Sequence, residues 1–511
     1  MKYSIVSLVA EAMPADLLFL LILLALPLVV FFIKRQSSRA VRPLPPGPHP
    51  WPIIGNLPHM GAKPHVALAQ FAQQHGPLIS LRLGTRLLVV ASSPAAATEI
   101  LRTHDRVLSG RQIPHAMYAN NPSRNHVSLG WALECTDQWK FIRTLCRTEL
   151  FSPKAIEKQS SIREKMVKGL VGFLSSKQGE NVRIRGLVLA TVFNVFGSVS
   201  FSKDEILSFE EAARGGGKDG LVRRFVDLLS KPNVSDLYPF LGGLDLQGLS
   251  RKIDEVAGQV FGIWEGVLRE RRDGGGGGGA SWTPADFLDV LLQNQFTDDQ
   301  INYLLLELLM AGSDANTSTV EWGLAELIRN EEAMGKLRDE LDRQIPTGET
   351  IRESHLHNLS YLQACVKETL RLHPPAPLLL PHRATQNCEV MGYTIPKGTQ
   401  VHVNVWAIGR DPSIWEDPLV FKPERFLDNN HSSLDFKGNH FELLPFGGGR
   451  RICPGLPMGV RHVHLTLASL VYHFEWSLPH NKSPQELDMS EKFGISLERE
   501  QPLTLIPKRR R

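Results

Sequence analysis

The chain has 511 residues, of which 42% are hydrophobic and 22% are charged, and its formal net charge at pH 7 is +4. These proportions are ordinary for a globular protein and provide enough apolar side chains for a large buried core. The small net charge and the lack of a long basic run argue against a nucleic-acid partner. The five cysteines are an odd number without paired short spacings, which argues against a disulfide framework and favours a reducing compartment.

Residues 1–35 are predicted to form a membrane anchor. From Leu17 to Ile33 the sequence is uncharged and almost wholly apolar, close to the roughly 20 residues that a bilayer-spanning helix needs. A buried core helix is the alternative, but globular cores rarely begin a chain in this way. Lys34 and Arg35 follow the stretch whereas only Lys2 precedes it, so the positive-inside rule places the following domain in the cytosol. Because no small-residue cleavage site follows, we expect an uncleaved, single-pass anchor.

Residues 36–60 are predicted to form a basic and proline-rich hinge before a catalytic domain over 61–511. Each proline in the run from Pro43 to Pro52 fixes φ and removes an N–H donor, so this run excludes a helix or a central strand. We expect a short, stiff spacer that holds the domain at a set angle to the membrane. An SH3-type ligand is the alternative, although it would be poorly accessible so near the anchor.

The remaining sequence predicts a mainly α-helical body with small β-sheets. Helical patterns dominate from about residue 135 to 375, and short alternating segments lie on either side of them. The most clearly bounded predictions are a hairpin over 78–83 and 87–90 with Gly84 in its turn, helices over 301–329 and 361–372, and a strand over 401–405.

The stretch near the carboxyl end that reads Phe446-Gly-Gly-Gly449-Arg-Arg451-Ile-Cys453-Pro-Gly455 indicates the chemistry. A cysteine thiolate on a glycine-rich turn before a helix suits proximal ligation of haem iron, because its sulfur pushes electron density towards the metal. The glycines allow close backbone approach to the porphyrin, backbone N–H groups can donate to the sulfur, and Arg451 can pair with a haem propionate. Cys453 is therefore the predicted metal ligand, with Phe446, Gly449, Arg451 and Gly455 as cofactor-binding residues.

Three other interpretations of this stretch are weaker. A lone cysteine is usually a small, buried, apolar residue. A zinc site would lack ligands, because His462 and His464 follow Cys453 but no second cysteine lies at C-x-x-C spacing. A phosphate-binding loop would need a G-x-G-x-x-G or G-K-[ST] continuation, which is missing here.

The spacing F-x-x-G-x-R-x-C-x-G resembles the haem-binding loop of the cytochrome P-450 family without a mismatch. Further signatures of that family follow in order: Glu368-x-x-Arg371 resembles its E-x-x-R helix, Arg425 lies in a matching P-E-R-F, and the proline run resembles the hinge of microsomal members. We interpret Glu368, Arg371 and Arg425 as a buried scaffold behind the haem and not as catalytic groups.

The resemblance implies a cytochrome P-450 fold behind the transmembrane anchor, with haem b and its iron as cofactor. Electrons would come from NADPH through a membrane-bound cytochrome reductase, and the protein would lie in the endoplasmic reticulum membrane in contact with lipid. Trp139-x-x-x-Arg143 resembles the family's W-x-x-x-R helix, whose two residues reach a haem propionate, and the spacing places both on one helical face. His382-Arg383 resembles another propionate contact, which adds Arg383 to the predicted cofactor-binding residues.

The long predicted helix carries AGSDAN at residues 311–316, which aligns by spacing with the family's A/G-G-x-D/E-T-T/S. Gly312 would let dioxygen lie against the helix backbone, and Asp314 would relay protons towards it. The family's alcohol is replaced by Ala315, so another group must take its place. Asn316 is adjacent, and we predict Gly312, Asp314 and Asn316 as the catalytic residues.

Two substitutes for the missing alcohol are possible on the predicted helix. Besides Asn316, Thr319 lies on the same face one turn further, roughly 6 Å along the axis, and a water held by either could act. Some family members with an altered motif here couple phenols oxidatively, so that the product gains no oxygen atom. The replacement of the family's alcohol by Ala315 is compatible with phenol coupling and with hydroxylation, and it only weakly favours coupling.

The substrate is predicted to be a small apolar or aromatic plant metabolite. Residues 145–152 and 376–383 resemble family members that act on benzylisoquinoline alkaloids or monoterpenoids, and we expect the alkaloid. A monoterpenoid or flavonoid hydroxylase is one alternative, and a haem isomerase or non-oxidising haem protein on the same fold is another. The pocket is expected to be mostly apolar and lined by 107–126, 305–315 and 378–380.

Overall fold

The computed structural model describes residues 43–117, 127–274, 285–346, 348–428 and 431–510. The predicted anchor over 1–35 and the basic first part of the hinge lie outside the described residues. Part of one predicted pocket segment, 118–126, also lies outside them.

The body is mainly helical, as the sequence predicts. In chain order the α-helices are α1 Leu57–Met60, α2 Pro64–His75, α3 Pro94–Thr98, α4 Asp105–Leu108, α5 Asp137–Cys146, α6 Pro153–Lys158, α7 Ser160–Ser176, α8 Ile184–Phe201, α9 Phe209–Arg214, α10 Lys218–Ser230, α11 Val234–Leu237, α12 Leu249–Phe261, α13 Glu265–Asp273, α14 Phe287–Gln293, α15 Asp298–Arg329, α16 Glu331–Gln344, α17 Ser360–Leu372, α18 Val405–Ile408 and α19 Leu456–His473. A π-helical turn over Arg147–Phe151 extends α5, and a 3₁₀ turn over Gly449–Arg451 precedes α19.

The strands are short and form small sheets. They are β1 Leu78–Leu83, β2 Arg86–Ala91, β3 Gly110–Arg111, β4 Val182–Arg183, β5 His382–Arg383, β6 Cys388–Val390, β7 Tyr393–Ile395, β8 Gln400–Val403, β9 Phe474–Ser477, β10 Glu491–Lys492, β11 Glu498–Arg499 and β12 Thr504–Arg509. The largest sheet of the described residues has the order β1-β2-β8-β5-β3, and the smaller ones are β4-β12-β9, β6-β7 and β10-β11.

The predicted hairpin is confirmed. Strands β1 and β2 pair antiparallel with Leu81 opposite Leu88, and Gly84 takes a φ of 59° in the connecting turn, a conformation that glycine adopts without steric cost. Strand β8 then runs parallel to β2, with Val401 opposite Val89. The hairpin is therefore one edge of the largest sheet.

The predicted strand over 401–405 is wrong at its carboxyl end. Strand β8 ends at Val403, and Val405 begins the short helix α18. The cause is Asn404, whose side chain accepts a hydrogen bond of 3.0 Å from the backbone N–H of Ala407 and so caps that helix. A capping asparagine ends the strand although the apolar alternation continues.

The long helix α15 begins at Asp298, three residues before the predicted start at Ile301. Thr297 and Gln300 form a reciprocal capping box there, and Asp298 and Asp299 in the first turn complement the positive end of the helix dipole. The helix ends at Arg329, as predicted, and its side chains contribute to two large apolar clusters. It therefore runs through the middle of the core and can present groups to an internal site.

Helix α8 packs against α15 and has an unusual composition. Within the part of the chain that the structure describes, it is the one helix long and apolar enough to cross a membrane, but 67% of that segment is buried inside the fold. Its apolar character therefore matches its place in the protein core.

The described part of the proline-rich hinge lies against the sheet. The Pro46 carbonyl accepts from the backbone N–H of Ser80 at 2.8 Å, and the Pro45 carbonyl accepts from the Ser80 hydroxyl at 2.6 Å. At Gly47 a Cβ atom would lie 1.9 Å from the Ser80 carbonyl oxygen, so this close approach requires glycine. These contacts fix the direction in which the hinge leaves the domain.

The predicted network of Glu368, Arg371 and Arg425 is present and buried. Glu368 accepts two hydrogen bonds from Arg371, at 2.7 and 2.8 Å, and one from Arg425 Nε at 3.0 Å. Arg371 also donates to the Pro418 carbonyl at 2.7 Å and lies over the Trp415 ring. The network ties α17 to the irregular segment that precedes the Cys453 loop.

Candidate active site

An internal cavity of about 440 Å³ lies between α15 and the loop that carries Cys453. Side chains from α8 and α10 also line it, among them Val195, Phe196 and Phe225. The sequence did not indicate these two helices as part of the wall. Of the predicted lining segments, 305–315 and 378–380 contribute residues, as does the described part of 107–126.

The Cys453 loop presents a thiol to this cavity. The backbone N–H of Cys453 donates to the Phe446 carbonyl at 3.0 Å, which closes the loop, and α19 begins three residues later. Burial raises the pKa of the Cys453 thiol, whereas the N–H groups of Gly455 and Leu456 and the Arg143 guanidinium favour the thiolate. A bound metal ion would add the positive charge that a buried thiolate needs.

The zinc interpretation gains no support from the geometry. No group of three or more histidine, cysteine, aspartate or glutamate side chains that could hold a metal occurs in the described ranges. Burial lowers the pKa of His462 to about 3 and that of His464 to about 4, and the His464 ring bonds to the carbonyl of Val460 in its own helix.

Three guanidinium groups border the cavity near the thiol. Arg451 donates to the carbonyls of Ser109, Leu129 and Ala132, while Arg143 donates to that of Ile452. Arg111 donates to the carbonyls of Gly130 and Leu380. Burial, together with the charge of Arg451, lowers the pKa of Arg111 to about 9, and burial also lowers the pKa values of Arg143 and Arg451.

These like charges have no salt-bridge partner among the described carboxylates, and Glu307 acts on Arg111 and Arg451 only at longer range. No carboxylate of the described residues forms an ion pair with Arg111, Arg143 or Arg451, so the cluster suits a ligand that carries acid groups. The two propionates of haem are such groups, and the thiol beside them suits its iron. The residues present therefore fit a haem.

Trp139 supports the guanidinium groups from behind the cavity wall. Its indole N–H donates to the Leu129 carbonyl at 2.9 Å, and the guanidinium carbons of Arg451 and Arg143 lie 4.8 and 5.2 Å from its ring centre. Trp139 and Arg143 share one face of α5, as the spacing predicted. Trp139 does not itself line the cavity in this structure; it contacts Arg143 and Arg451, which do.

Two predicted contacts lie away from the cavity wall. Gly449 packs against the Leu101 carbonyl, where a Cβ atom would lie 2.1 Å from the oxygen, and it has a φ of +63°. Arg383 approaches Glu134 at 3.9 Å, and its neighbour His382 borders the cavity instead.

Arg111 on β3 borders the cavity but was not predicted from the sequence, because a single arginine in a two-residue strand gives no sequence signal.

The three predicted catalytic residues, Gly312, Asp314 and Asn316, all border the cavity. The Asn316 amide donates to the Gly312 carbonyl at 2.6 Å, and the Thr319 hydroxyl donates to the Ala315 carbonyl at 2.7 Å. Both predicted substitutes for the missing alcohol therefore bond to carbonyls of their own helix. The side-chain amide oxygen of Asn316, Oδ1, faces Gly459 on α19.

Asp314 belongs to a buried ion cluster that the sequence did not indicate. Its Oδ1 lies 3.2 Å from Arg185, which also pairs with Glu321 and Glu498, while its Oδ2 is buried without a described hydrogen-bond partner. Burial raises the pKa of Glu498, and the nearby Asp314 charge adds to this effect. The cluster can hold a proton between the cavity and β11, but its members are too far apart in sequence to form a motif.

The fold and the cavity suit an enzyme whose cofactor carries acid groups and accepts a cysteine ligand. Comparison with protein families agrees, because the model described as cytochrome P-450 matches residues 45–505. The chain belongs to the cytochrome P-450 family. It is a monooxygenase-type oxidoreductase, and the family implies haem iron and electrons delivered by a reductase.

Three relatives match this chain over nearly its whole length. The chain is 49% identical to the probable (S)-N-methylcoclaurine 3'-hydroxylase isozyme 2 of Coptis japonica, over 94% of this chain and 96% of that protein. It is 45% identical to corytuberine synthase of Coptis japonica, over 95% and 98% of the two chains. It is also 44% identical to berbamunine synthase of Berberis stolonifera, over 91% and 94%.

Proposed function

We propose that this protein oxidises a benzylisoquinoline alkaloid, by phenol coupling or by hydroxylation, with dioxygen and with electrons from NADPH through a membrane-bound reductase. The observation that carries the proposal is the cavity, which has a cysteine thiol and three guanidinium groups at one side and the Gly312 segment of α15 at another. The named activities of the relatives supply the substrate class.

In this proposal haem b occupies the thiol side of the cavity. Cys453 would ligate the iron, Arg111, Arg143 and Arg451 would pair with the propionates, and Phe446 and Gly455 would border the porphyrin. Thiolate-bound haem supplies reductive activation of dioxygen and cleavage of its O–O bond. Trp139 would hold two of the arginines in place, and we assign Gly449 and Arg383 to supporting positions behind the wall.

The chain's own contribution on the oxygen side is a route for protons. Asp314 can take a proton on Oδ2, which has no described partner, while Arg185 holds Oδ1 in place. Glu498 shares that arginine and retains a proton more readily than an exposed glutamate. Asn316 and Thr319 each donate to a helix carbonyl, and a water molecule held by either of them near Gly312 would carry the proton in place of the family's alcohol.

Ala315→Thr restores the family's alcohol and is expected to lower the share of NADPH electrons that is lost as peroxide, by roughly twofold or more. The new hydroxyl would donate to the carbonyl one turn earlier and could pass a proton onward. Peroxide release is measured against NADPH consumption for the native protein and the variant. Unchanged release would show that position 315 does not control proton delivery.

A panel of small metabolites tests the substrate class. A phenolic benzylisoquinoline, a monoterpene alcohol and a flavonoid are each added to the protein with reductase, and NADPH consumption is measured. We expect the benzylisoquinoline to raise consumption and the other two to leave it near the background. A terpenoid or flavonoid preference would contradict the proposed substrate, and conversion without NADPH would indicate an isomerase.

A surface that we call the proximal basic face, formed by Lys140, Arg147, Arg450 and Arg461, is the proposed docking site for the reductase. All four side chains are exposed or half-exposed, and they lie on α5, the turn after it, the Cys453 loop and α19. Three of them pair with acids of this chain. The exposed pair of Lys140 with Asp137 is weak and can be exchanged for a partner.

Reversing two of these charges, Lys140→Glu with Arg147→Glu, is expected to lower reductase-supported turnover about tenfold at low salt, because electrostatic steering is lost. Native turnover should fall as salt rises, and the variant should show little salt dependence. The matched control reverses Lys177 and Lys508, which pair with acids elsewhere on the surface. If both variants behave like the native protein, the reductase docks on another face.

An exposed apolar patch supports the membrane placement of the domain. It joins Trp51 and Ile53 of the hinge to Phe240, Leu244 and Leu246, and the Tyr238 hydroxyl links the two segments by donating to the Ile53 carbonyl at 3.3 Å. Apolar patches of this kind favour lipid over water. We propose that it rests on the endoplasmic reticulum membrane beside the single-pass anchor, which a vesicle flotation assay of the full chain tests.

A further inference from the structure

Glu307 is an ionisable residue of the cavity wall that the proposed chemistry does not use. It lies on α15, five residues before Gly312, which is about 7.5 Å along the helix axis. The cavity wall is mostly apolar and includes Met117, Val127 and Leu306, the last of which is adjacent to Glu307 on the helix. Asp314, the other carboxylate among the described lining residues, already pairs with Arg185.

The Glu307 carboxylate is held by the loop over residues 128–130. Oε2 accepts from the backbone N–H of Leu129 at 3.2 Å, and Oε1 accepts from that of Gly130. The Ser128 hydroxyl also favours its ionised form. At Gly130 a Cβ atom would lie 3.0 Å from Oε1, so the glycine permits this approach. These described partners are neutral donors, and a carboxylate has further lone pairs for a ligand.

Burial and nearby arginines act in opposite directions on the Glu307 carboxylate. Burial raises its pKa, and the Arg451 charge acts in the opposite direction. Arg111 is also influenced by the Glu307 charge, as is the buried thiol of Cys146 on α5. The two arginines donate to the carbonyls of Gly130 and Leu129, the residues whose N–H groups hold Glu307. Their guanidinium groups are thus already bonded to the backbone, whereas Glu307 lies on the helix that also carries Gly312. A buried carboxylate is stabilised most by a ligand that brings its own positive charge.

We propose that Glu307 binds the protonated amine of the substrate and thereby determines which ring lies beside Gly312. The inference rests on the proposed function, since a benzylisoquinoline carries a basic ring nitrogen. An amine bound at Glu307 leaves a ring joined through one methylene group free to extend along α15 towards Gly312. Glu307 is therefore a specificity-determining residue, and a neutral terpenoid would gain nothing from it.

The test compares an amine with a neutral analogue in haem-loaded protein. Binding is measured from the spectral shift with a phenolic N-methyl-1-benzyltetrahydroisoquinoline and with its N-acetyl counterpart, which carries no charge. In Glu307→Gln the affinity for the amine is expected to fall roughly ten- to a hundredfold, because a charge-assisted bond is lost, while the neutral analogue changes little. An equal loss for both compounds would overturn the inference and leave Glu307 as a support for the 128–130 loop.

Glu340 provides a matched control. It is a buried glutamate that likewise accepts from two backbone N–H groups, those of Tyr361 at 2.7 Å and Leu362 at 2.9 Å, but it does not border the cavity. Glu340→Gln should reproduce any loss of stability without changing the ratio of the two affinities. Should Glu307→Gln not accumulate, Glu307→Asp keeps the charge on a shorter side chain and is expected to preserve the preference for the amine.

A quaternary N,N-dimethyl analogue gives a second readout, because its charge does not titrate. Its affinity for the native protein should fall as the pH decreases and Glu307 takes up a proton, and Glu307→Gln should lack this decrease. A pH-independent native affinity would contradict the inference. If the native protein binds neither alkaloid, the proposed function fails as well, whereas binding of both with equal losses in Glu307→Gln rejects only the role of Glu307.

Discussion

Cys453→Ser protein is expected to lose the long-wavelength absorption that a thiolate gives to the reduced carbon monoxide complex, together with all reductase-supported turnover. A serine hydroxyl is a poor iron ligand and does not donate electron density as a thiolate does. The surrounding loop should stay folded, because its closing bond joins the backbone of residue 453 to the Phe446 carbonyl. The measurement is the difference spectrum of the reduced protein with and without carbon monoxide.

Cys388→Ser is the control for this result. Cys388 lies on β6, away from the cavity lining, and should keep both the band and the turnover. A Cys453→Ser protein that retained the band would show that another group ligates the iron.

Arg371→Leu is expected to prevent the accumulation of folded, haem-containing protein. The substitution leaves the fully buried Glu368 with one guanidinium instead of two, and it removes the donors to the Pro418 and Gly409 carbonyls. Removing one partner of a buried ion pair costs about 3–5 kcal/mol, which is a large part of the stability of a typical domain. The measurement is the yield of soluble, haem-loaded protein and its thermal midpoint.

The comparison variant is Arg269→Gln. Arg269 and Glu265 form an i, i+4 pair on α13 whose side chains are 70% and 62% exposed. Pairs of this kind contribute about 0.3–0.5 kcal/mol, so this variant should unfold near the native midpoint. Equal losses in the two variants would mean that Arg371 has no special place in the scaffold.

The elements that were predicted best are those in which local pattern and packing agree. The hairpin over 78–91 and the helix over 360–372 have apolar faces that match their burial. Errors occurred where one polar side chain overrode the pattern: Asn404 ended β8, and Thr297 started α15 earlier than the apolar periodicity suggested. Both follow from capping chemistry, which the sequence contains.

The candidate site could be predicted only where its residues lie close together in sequence. Cys453 and Arg451 are two residues apart, and Gly312, Asp314 and Asn316 lie in a single turn or so of one helix. Arg111 joins the arginine cluster through β3, and Arg185 reaches Asp314 from α8, 129 residues earlier in the chain. Contacts of that range depend on the packing of whole helices, which no short motif encodes.

The sequence also could not identify Glu307 as a functional residue. It lies within the predicted lining segment 305–315, but no motif distinguishes it from its neighbours there. The backbone donors of Leu129 and Gly130, which come from a distant part of the chain, became evident only from the structure.

The most direct test of the proposed function is the mass of the product formed from a phenolic N-methyl-1-benzyltetrahydroisoquinoline under labelled dioxygen. The full chain is reconstituted in vesicles with its haem and a reductase, and NADPH is added. We expect an NADPH-dependent product whose mass is either lower by two hydrogen atoms, from phenol coupling, or higher by one labelled oxygen atom, from hydroxylation. A product of unchanged mass, or conversion that does not require NADPH, would contradict the proposal that this protein is an alkaloid-oxidising member of its family.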